Sequence, residues 1–394
     1  MPRVLRIINR FNLGGPAYNV AFLTKYLSPE YETLLIGGEK EPDEDSSLFI
    51  FREMGIEPLV ITEMNRSVSF LQDVKAYYRI KKIIKEFKPD IVHTHAAKAG
   101  ALGRLAAHSC GVPVIIHTFH GHVFHSYFGK FKTGVFKTIE RFLAKKTTAI
   151  IAISEKQKHE LCTEHKIAPA EKTKIVPLGF DLTKFSDNQP EKRKTFREKY
   201  QIEEDEICIV IIGRLAPVKN HPLFLKAIQF VKAHSTKKIR ALIVGDGSLR
   251  QDLMQQCNAL NLDYCYYPAD PKKATVIFTS WIQDVSYPLA GSEIVCLTSF
   301  NEGTPVSLIE AQAASKAIIT TKVGGIENSV SDKAAFLINS TDEKLFCEKL
   351  VLLCNDAGLR EKMAVCGKDF VFNQFHYTRL VQDIRGLYGS LLKP

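Results

Sequence analysis

The chain has 394 residues, which is too long for one ordinary core and fits two domains of roughly 150–200 residues. Its nine cysteines show no C-x-x-C or metal-like spacing, which excludes a disulfide framework, and no apolar run reaches the roughly 18 residues of a spanning helix. The formal charge of +10 lies mostly in residues 1–180, where 26 Lys and Arg outnumber 18 Asp and Glu, so this half should attract anions. We expect a cytoplasmic protein, either soluble or peripheral on the inner face of the membrane.

The first half of the chain alternates short apolar runs with amphipathic segments. The first run, "VLRII", lies in the N-terminal stretch "MPRVLRIINRFNLGG", where Arg3, Arg6 and Arg10 predict a strand rather than a signal peptide. A Gly-rich turn and the helical pattern "YNVAFLTKYL" follow. The next predicted elements are the strand "ETLLIGG", the helix "SFLQDVKAYYRIKKIIKEF", the strand "DIVHTH", a helix of small residues, the strand "VPVIIHTFHG", a basic helix and the strand "TAIIAIS".

The second half repeats this alternation. Its predicted elements are "ICIVIIGRL", helix 221–234, "RALIVGDG", helix 248–260, "KATVIFTSW", "IVCLTSF", a helix after Thr304 and "AIITT". Such alternation predicts parallel sheets covered on both faces, and hence two doubly wound α/β domains joined near residues 175–185. Because ligands bind at the carboxyl ends of parallel strands, two facing crevices predict a substrate held in the cleft between domains.

The stretch "SFNEGTPVSLIEAQA" places two glutamates eight positions apart. Thr304 and Pro305 predict an N-cap and first helical residue, so the N–H groups of residues 304–307 should form an anion site. Glu302 then lies in the loop at the mouth of this anion site, where Gly303 has no side chain to obstruct a ligand. Glu310 lies about 9 Å further along the helix. A carboxylate among apolar neighbours needs hydrogen-bond donors, and the two hydroxyl groups of a ribose would supply them. The alternative is a surface glutamate on an ordinary helix.

Further candidates follow the predicted strands. Arg214 and Lys219 come after "IIG" and could neutralise a departing diphosphate, or could be solvated loop charges. Gly245 lies in the turn "VGDG", which permits close backbone approach to a ligand or forms a plain turn. Gly14 and Gly15 precede a helix but do not form G-x-G-x-x-G, which counts against a dinucleotide cofactor; they could bring N–H groups to a phosphate or sugar, or make a tight turn.

Histidines concentrate in residues 91–139, which hold seven of the twelve and contain no Asp or Glu. His120 comes just past an apolar strand, which places it to donate or accept a hydrogen bond in the cleft; a satisfied core histidine is the alternative. His95 ends another strand and is a weaker candidate. No carboxylate or cysteine pattern completes a metal site around these histidines, so no metal is predicted.

Residues 127–146, "YFGKFKTGVFKTIERFLAKK", interleave aromatic and apolar residues with six lysines and arginines and a single acid, Glu140. That composition is typical of an interfacial amphipathic segment and predicts contact with an anionic membrane surface. The alternative is a helix packed on the sheet with a solvated basic face.

Together these features resemble the GT-B retaining glycosyltransferases of glycosyltransferase family 4. The resemblance covers nearly the whole chain. It rests on the glycines at 14–15, "HTH" (93–95), "TFHGH" (118–122), "IAISE" (from 151), "VPLGFD" (176–181), "GRLAPVKN", "VGDG", the E-x7-E motif "EGTPVSLIE" and "TTKVGG".

The resemblance implies a nucleotide-sugar donor bound mainly by residues 181–376 and a glycan or glycolipid acceptor bound mainly by residues 1–180, on which the last helix, 377–394, packs back. It implies retention of the anomeric configuration without a metal or other cofactor. The implied roles are Arg214 and Lys219 on the diphosphate, Glu310 on the ribose, Glu302 at the donor sugar, His120 beside it at the reaction centre, and His95 and His122 on the acceptor or sugar side. The remaining donor-side residues are Gly14, Gly15, Gly245, Trp281, Ile282, Gly303, Thr304, Pro305 and Val306.

The segment before the expected base pocket departs from the family pattern. Here "FTSWIQD" carries Ser280 and Trp281 where a glycine is common. Trp281 either stacks on the base or fills the core, so the sequence does not decide the identity of the nucleotide base. A UDP-sugar is the first choice.

The sequence therefore predicts a glycosyltransferase that moves a hexosyl or N-acetylhexosaminyl group to a lipid-linked or polysaccharide acceptor in bacterial-type envelope synthesis. A UDP-N-acetylhexosamine epimerase of similar architecture is the alternative enzyme. A non-catalytic membrane or nucleic-acid adaptor is the other alternative; the lack of a concentrated basic tract or aromatic platform argues against a nucleic-acid partner.

Overall fold

The computed structural model describes residues 1–12, 14–41, 46–65, 69–120 and 130–392. The chain divides into two compact units. The first unit comprises Met1–Phe180 together with Phe375–Pro394, and the second comprises Asp181–Gln374.

The described part of the first unit contains a parallel sheet of seven strands. They are β1 (Arg3–Arg10), β2 (Glu32–Gly38), β3 (Leu59–Val60), β4 (Ile91–His95), β5 (Val114–Thr118), β6 (Ala149–Ala152) and β7 (Thr173–Ile175). Their order across the sheet is β3-β2-β1-β4-β5-β6-β7. The sequence order reverses at β1, which pairs with both β2 and β4, so the switch point of this sheet lies beside β1.

Helices connect these strands. They are α1 (Gly15–Tyr26), α2 (Leu48–Glu53), α3 (Phe70–Phe87), α4 (Ala97–Ser109), α5 (Lys130–Lys145) and α6 (Glu155–His159). In α3 the buried residues Ala76, Ile80, Ile83 and Ile84 recur at helical spacing and face the core. The exposed residues include both lysines and the apolar side chains of Phe70, Leu71, Val74 and Tyr78. The helix ends where Lys88 adopts a left-handed conformation.

The second unit repeats the architecture. Its described strands are β8 (Ile207–Ile212), β9 (Ile239–Val244), β10 (Tyr264–Tyr266), β11 (Val276–Ser280), β12 (Ile294–Leu297), β13 (Ala317–Thr321) and β14 (Ala335–Ile338), in the order β10-β11-β9-β8-β12-β13-β14. All six residues of β8, "ICIVII", are buried, as expected for a central strand covered on both faces. The switch point lies beside β8, which pairs with β9 and β12.

The connecting helices of the second unit are α7 (Gln189–Lys199), α8 (His221–His234), α9 (Arg250–Ala259), α10 (Ser286–Gly291), α11 (Val306–Ala313), α12 (Glu343–Asn355) and α13 (Ala357–Phe375). The last helix, α14 (Tyr377–Leu392), belongs to the first unit. Its buried residues Leu380, Val381, Ile384 and Tyr388 share a core cluster with residues of β1, β4, β5 and β6.

Two doubly wound parallel-sheet domains confirm the predicted fold class. Four strands were absent from the prediction, namely β3, β7, β10 and β14. Each lies at an edge of its sheet.

Candidate active site

The loops that follow β8 and β12 meet at the switch point of the second unit. Thr298 Oγ1 donates a hydrogen bond to the Lys219 carbonyl oxygen at 2.9 Å, and Phe300 N donates to the Val218 carbonyl oxygen at 2.8 Å. These bonds join the "GRLAPVKN" loop to the loop that carries Glu302. The carboxyl ends of two adjacent strands thus bring Lys219 and Glu302 together.

Lys219 and Glu302 form an ion pair within this junction. Lys219 Nζ lies 2.6 Å from Glu302 Oε1, and Ser299 Oγ donates to the same oxygen at 2.5 Å. The two charged side chains are 24% and 11% exposed, so the pair is largely screened from solvent. Arg214, in the same loop as Lys219, is exposed and forms no ion pair among the described residues.

The helix α11 begins one residue later than predicted. Pro305 is its N-cap, with an extended backbone, and Val306 is its first residue; the predicted N-cap, Thr304, precedes the cap. Leu308 N and Ile309 N both donate to the Pro305 carbonyl oxygen, so the N–H groups of residues 306 and 307 have no partner within the helix. A Cβ added at Gly303 would meet no atom within 4 Å, which leaves room for a ligand beside these donors.

A second backbone segment supports the Glu302 loop. Gly325 N donates to the Glu302 carbonyl oxygen at 2.9 Å, and a Cβ at Gly324, where φ is +58°, would lie 2.0 Å from that oxygen. Only glycine permits both the left-handed conformation and this close approach. The "KVGG" segment therefore holds Glu302 in place, a role that sequence analysis did not assign to it.

Glu310 lies on α11 and is only partly accessible to solvent. Its carboxylate forms no hydrogen bond or ion pair among the described residues. Burial raises its pKa to about 7; the positive charge of Lys184 opposes the shift and the negative charge of Asp284 adds to it. A carboxylate that lacks donors in a desolvated position is suited to bind a ligand that brings hydroxyl donors.

This pKa predicts that Glu310→Gln stabilises the ligand-free protein at alkaline pH. The folded-state pKa of about 7 exceeds the unfolded value near 4.5, so the folded state holds a proton that the unfolded chain has lost in this interval. Stability from this group is complete below pH 4.5 and is lost as the pH rises through 7. We expect the variant to exceed wild type by roughly 3 kcal/mol at pH 8 and to match it near pH 4. Urea unfolding at both values measures this, and a pH-independent difference would contradict it.

The "VGDG" turn packs against the loop after β8. At Gly245, where φ is +141°, a Cβ would lie 2.1 Å from the Gly213 carbonyl oxygen, and at Gly247 it would lie 2.4 Å from that of Leu215. The Asp246 carboxylate accepts hydrogen bonds from Gly247 N, Ser280 Oγ and Arg250 Nη1. The missing side chain of Gly245 is therefore explained by contact with protein backbone, and the turn positions the Arg214 loop.

Trp281 directly follows Ser280, the last residue of β11, whose hydroxyl contacts Asp246 of this turn. Its side chain is 62% exposed, which excludes the alternative in which it fills the core, and its neighbour Ile282 is partly buried. Ser280 adopts a left-handed conformation, with φ of +62°, at the end of β11. Stacking of Trp281 on a base stays a prediction.

In the first unit, Gly14 and Gly15 lie at the start of α1. Gly14 is the N-cap with extended backbone, and Gly15 is the first helical residue. A Cβ at Gly15 would meet no atom within 4 Å, and one at Gly14 would meet only the Pro16 ring at 3.8 Å. Unlike Gly245, these glycines are not required by packing among the described residues, and contact of this turn with a ligand stays a prediction.

His95 and His120 lie together at the carboxyl ends of β4 and β5. Their rings are hydrogen bonded, with His95 Nδ1 and His120 Nε2 2.9 Å apart. Burial lowers the pKa of His120 to about 4 and holds that of His95 well below its ordinary value, so both imidazoles are neutral near pH 7. His122 lies outside the described residues.

The helix α5 covers most of the predicted basic segment 127–146, of which residues 127–129 lie outside the described ranges. Val135, Ile139 and Phe142 are exposed apolar residues on this helix. Beside it, a basic pocket of about 560 Å³ is lined by Arg141, Ala144, Lys145, Cys162, Lys166, Ile167, Ala168, Pro169 and Lys172. Among the described residues, no helix is long and apolar enough to cross a membrane.

Comparisons with known proteins identify the class. A family model described as "Glycosyl transferases group 1" matches residues 192–369, and one described as "Glycosyltransferase Family 4" matches residues 14–184. The structure of Anabaena HepE in complex with UDP superposes with a TM-score of 0.79 at 17% identity, covering 98% of this chain and 100% of that one. The chain is a glycosyltransferase with the GT-B fold.

Curated relatives identify the family. The Escherichia coli UDP-Gal:alpha-D-GlcNAc-diphosphoundecaprenol alpha-1,3-galactosyltransferase is 30% identical over 353 residues, which cover 89% of this chain and 88% of that protein. The capsular polysaccharide glycosyltransferase CapM of Staphylococcus aureus is 26% identical, covering 84% and 85% of the two chains. The chain belongs to glycosyltransferase family 4.

Proposed function

We propose that this enzyme transfers a hexosyl or N-acetylhexosaminyl group from a nucleotide diphosphate sugar, with UDP favoured, to a lipid-linked or polysaccharide acceptor of the bacterial cell envelope. The observation that carries the proposal is the arrangement along α11, with the Lys219–Glu302 pair before its N-terminus and the unpaired Glu310 carboxylate within it. The relatives support the choice of substrates, because the Escherichia coli enzyme is named for UDP-Gal and a diphosphoundecaprenol acceptor and CapM for capsular polysaccharide.

In the proposed donor complex the diphosphate lies at the N-terminus of α11. The N–H groups of Val306 and Ser307 and the cationic Arg214 and Lys219 stabilise the negative charge that develops as the bond from the sugar C1 to the phosphate oxygen breaks. Glu310 accepts hydrogen bonds from the ribose hydroxyls. These are charge-stabilising groups supplied by the chain itself, and we propose that transfer needs no metal ion.

The proposed reaction retains the anomeric configuration. The acceptor hydroxyl approaches C1 on the face that the diphosphate leaves, its oxygen forms the new bond, and its proton passes to the departing phosphate oxygen. Glu302 and the Gly303 backbone contact the donor sugar, and the neutral His120 hydrogen-bonds one of its hydroxyls. The sugar passes through an oxocarbenium-like state that the departing diphosphate stabilises. Because departure and attack occur on the same face, retention requires no covalent enzyme intermediate.

A donor screen tests the proposal. Purified protein is incubated with UDP-, GDP- and ADP-hexoses and UDP-N-acetylhexosamines, a GlcNAc-diphospholipid acceptor and excess EDTA. We expect one nucleotide series to give a lipid-linked disaccharide, and the proton NMR coupling of the new anomeric centre to match that of the donor. An inverted product would overturn retention, and dependence on added Mg²⁺ would overturn metal independence. Epimerised UDP-sugar without any disaccharide would favour the epimerase alternative.

We also propose that α5 docks on an anionic membrane, where a lipid-linked acceptor is located. Val135, Ile139 and Phe142 recur at helical spacing on its exposed surface, and the Lys146 ammonium lies 5.0 Å from the Phe142 ring centroid. The adjacent pocket is lined by four cationic residues together with apolar ones, a combination suited to a phosphate-bearing headgroup.

Vesicle flotation tests this docking. We expect wild type to float with vesicles that contain anionic lipid and Phe142→Ser to bind them about tenfold more weakly, because one partly buried aromatic ring contributes about 1–2 kcal/mol. Phe49→Ser is the matched control, since Phe49 of α2 is 46% exposed, close to the 52% of Phe142, and its loss should have no effect. Equal flotation with neutral vesicles would contradict the proposal.

A further inference from the structure

A fully buried arginine lies beneath the two histidines of the first unit. Arg6 is on β1, paired in register with His93 of β4, and none of its surface is exposed. Its Nη1 lies 3.2 Å from His93 Nδ1 and 3.5 Å from His95 Nε2. No carboxylate forms an ion pair with it among the described residues. Only its Nη1 faces the two imidazoles, and its Nε and Nη2 are buried there without a hydrogen-bond partner. A buried charge held in this way is costly, and such an arrangement calls for a function.

The arginine determines which nitrogen of His95 carries the proton. A guanidinium group donates hydrogen bonds and cannot lose its proton in a protein, so the His95 Nε2 that faces it must be an acceptor. His95 is neutral, because burial and its cationic and imidazole neighbours hold its pKa well below the ordinary value. A neutral imidazole has one N–H group, which on His95 must therefore be at Nδ1.

The same reasoning applies to His120. Because His95 donates from Nδ1, the His120 Nε2 that lies 2.9 Å away is the acceptor, and the single proton of His120 is on Nδ1. The His120 Nδ1 atom is itself buried and has no hydrogen-bond partner among the described residues. The chain of bonds therefore ends in an N–H donor that lacks an acceptor, which is costly unless a ligand supplies one.

We propose that Arg6 and His95 are positioning residues that hold His120 in the Nδ1–H form, so that it presents a hydrogen-bond donor to a hydroxyl oxygen of the bound sugar. This inference rests on the proposed function, in which His120 contacts the transferred sugar. Neither Arg6 nor His95 needs to touch the substrate. The orientation of His120 and the position of its proton are set before the donor binds, as preorganisation requires.

A parallel branch of the network supplies the control. Tyr388 on α14 forms a 2.7 Å hydrogen bond to His93 Nδ1, and His93 Nε2 lies 2.8 Å from Thr118 Oγ1. The Tyr388 hydroxyl shares His93 Nδ1 with Arg6 Nη1, so Tyr388→Phe perturbs the surroundings of Arg6 but removes none of the contacts between Arg6, His95 and His120. His95→Leu breaks that chain, whereas His95→Asn retains an N–H donor near the position of Nδ1.

Nitrogen NMR of protein labelled with ¹⁵N-histidine reads the proton position directly and needs no substrate. His120→Asn assigns the signal among the twelve histidines. We expect wild type, Tyr388→Phe and His95→Asn to show His120 solely as the Nδ1–H form at pH 7. In His95→Leu we expect a mixture in which the Nε2–H form also appears. A wild-type His120 that is protonated on Nε2, or one unaffected by His95→Leu, would overturn the proposal.

The transfer rate then tests the consequence. With the donor identified by the screen, we expect His95→Leu to lower kcat at least tenfold with little change in KM, and His95→Asn to recover most of that loss. Equal rates in wild type and His95→Leu, with the NMR difference present, would overturn the role of the tautomer. If no donor is turned over at all, the proposed function fails, while the NMR result still decides whether Arg6 and His95 set the proton on His120.

Discussion

Replacing Lys219 by methionine is expected to lower kcat for sugar transfer by a factor of about a thousand. Lys219 is 24% exposed and already lies 2.6 Å from Glu302, beside the N-terminus of α11. At this position its charge opposes the negative charge that builds on the leaving diphosphate, and removing one such preorganised group costs about 3–4 kcal/mol in the transition state. Because the effect is greatest when charge has developed, the loss should appear in kcat more than in KM.

Lys226→Met is the matched control for this variant. Lys226 lies on α8 of the same unit and forms a 2.8 Å ion pair with Glu343, but both side chains are about half exposed. An exposed pair of this kind contributes little, and we expect its loss to change kcat less than twofold. Steady-state kinetics on both variants, with melting temperatures to verify folding, measure the difference. Similar small losses in the two variants would contradict a role for Lys219 at the leaving group.

Replacing Glu310 by alanine is expected to weaken nucleotide binding about a hundredfold. A carboxylate that accepts two hydrogen bonds from a ribose in a largely desolvated site contributes about 2–3 kcal/mol. The interaction also predicts a dependence on pH, because the hydroxyls bind the ionised form and the pKa of the free carboxyl is about 7. Affinity should therefore rise with pH, by about tenfold between pH 6 and pH 8.

Calorimetric titration of the nucleoside diphosphate at pH 6 and pH 8 measures both effects. Glu310→Gln corrects for titration of the nucleotide phosphate, which occurs in the same range, and should show a smaller pH dependence than wild type. Glu343→Ala is the control for loss of a negative charge elsewhere in the unit and should bind as wild type does. Unchanged affinity in Glu310→Ala would contradict the assignment of this carboxylate to the ribose.

The central strands of both sheets were predictable, and their edge strands were not. A central strand such as β8 is buried on both faces and is therefore a continuous run of apolar, β-branched residues. The four edge strands have two to four residues each, and β7 reads "TKI" with an exposed lysine. An edge strand pairs with one neighbour, and its sequence is therefore too short and too polar for a strand pattern to be detected. Edge strands are defined by the sheet they join rather than by their own sequence.

Individual charges of the candidate site could be identified from the sequence, but their partners could not. Glu310 stands out because its neighbours are apolar, and Lys219 because it follows a buried strand. The contacts of Glu302 with Ser299 and with the glycines after β13 depend on loops that fold onto one another across the sheet edge. Arg6 was assigned only to a strand. Its relation to His95 requires the register of β1 with β4, which no local pattern specifies.

A crystal structure of the protein with UDP tests the central claim most directly. The proposal predicts that the ribose hydroxyls lie within hydrogen-bond distance of the Glu310 carboxylate, and that the diphosphate contacts the N-terminus of α11 and Arg214. It also predicts that the Nζ of Lys219 reaches a phosphate oxygen. UDP bound elsewhere, with Glu310 more than 4 Å from any nucleotide atom, would contradict the account of this site.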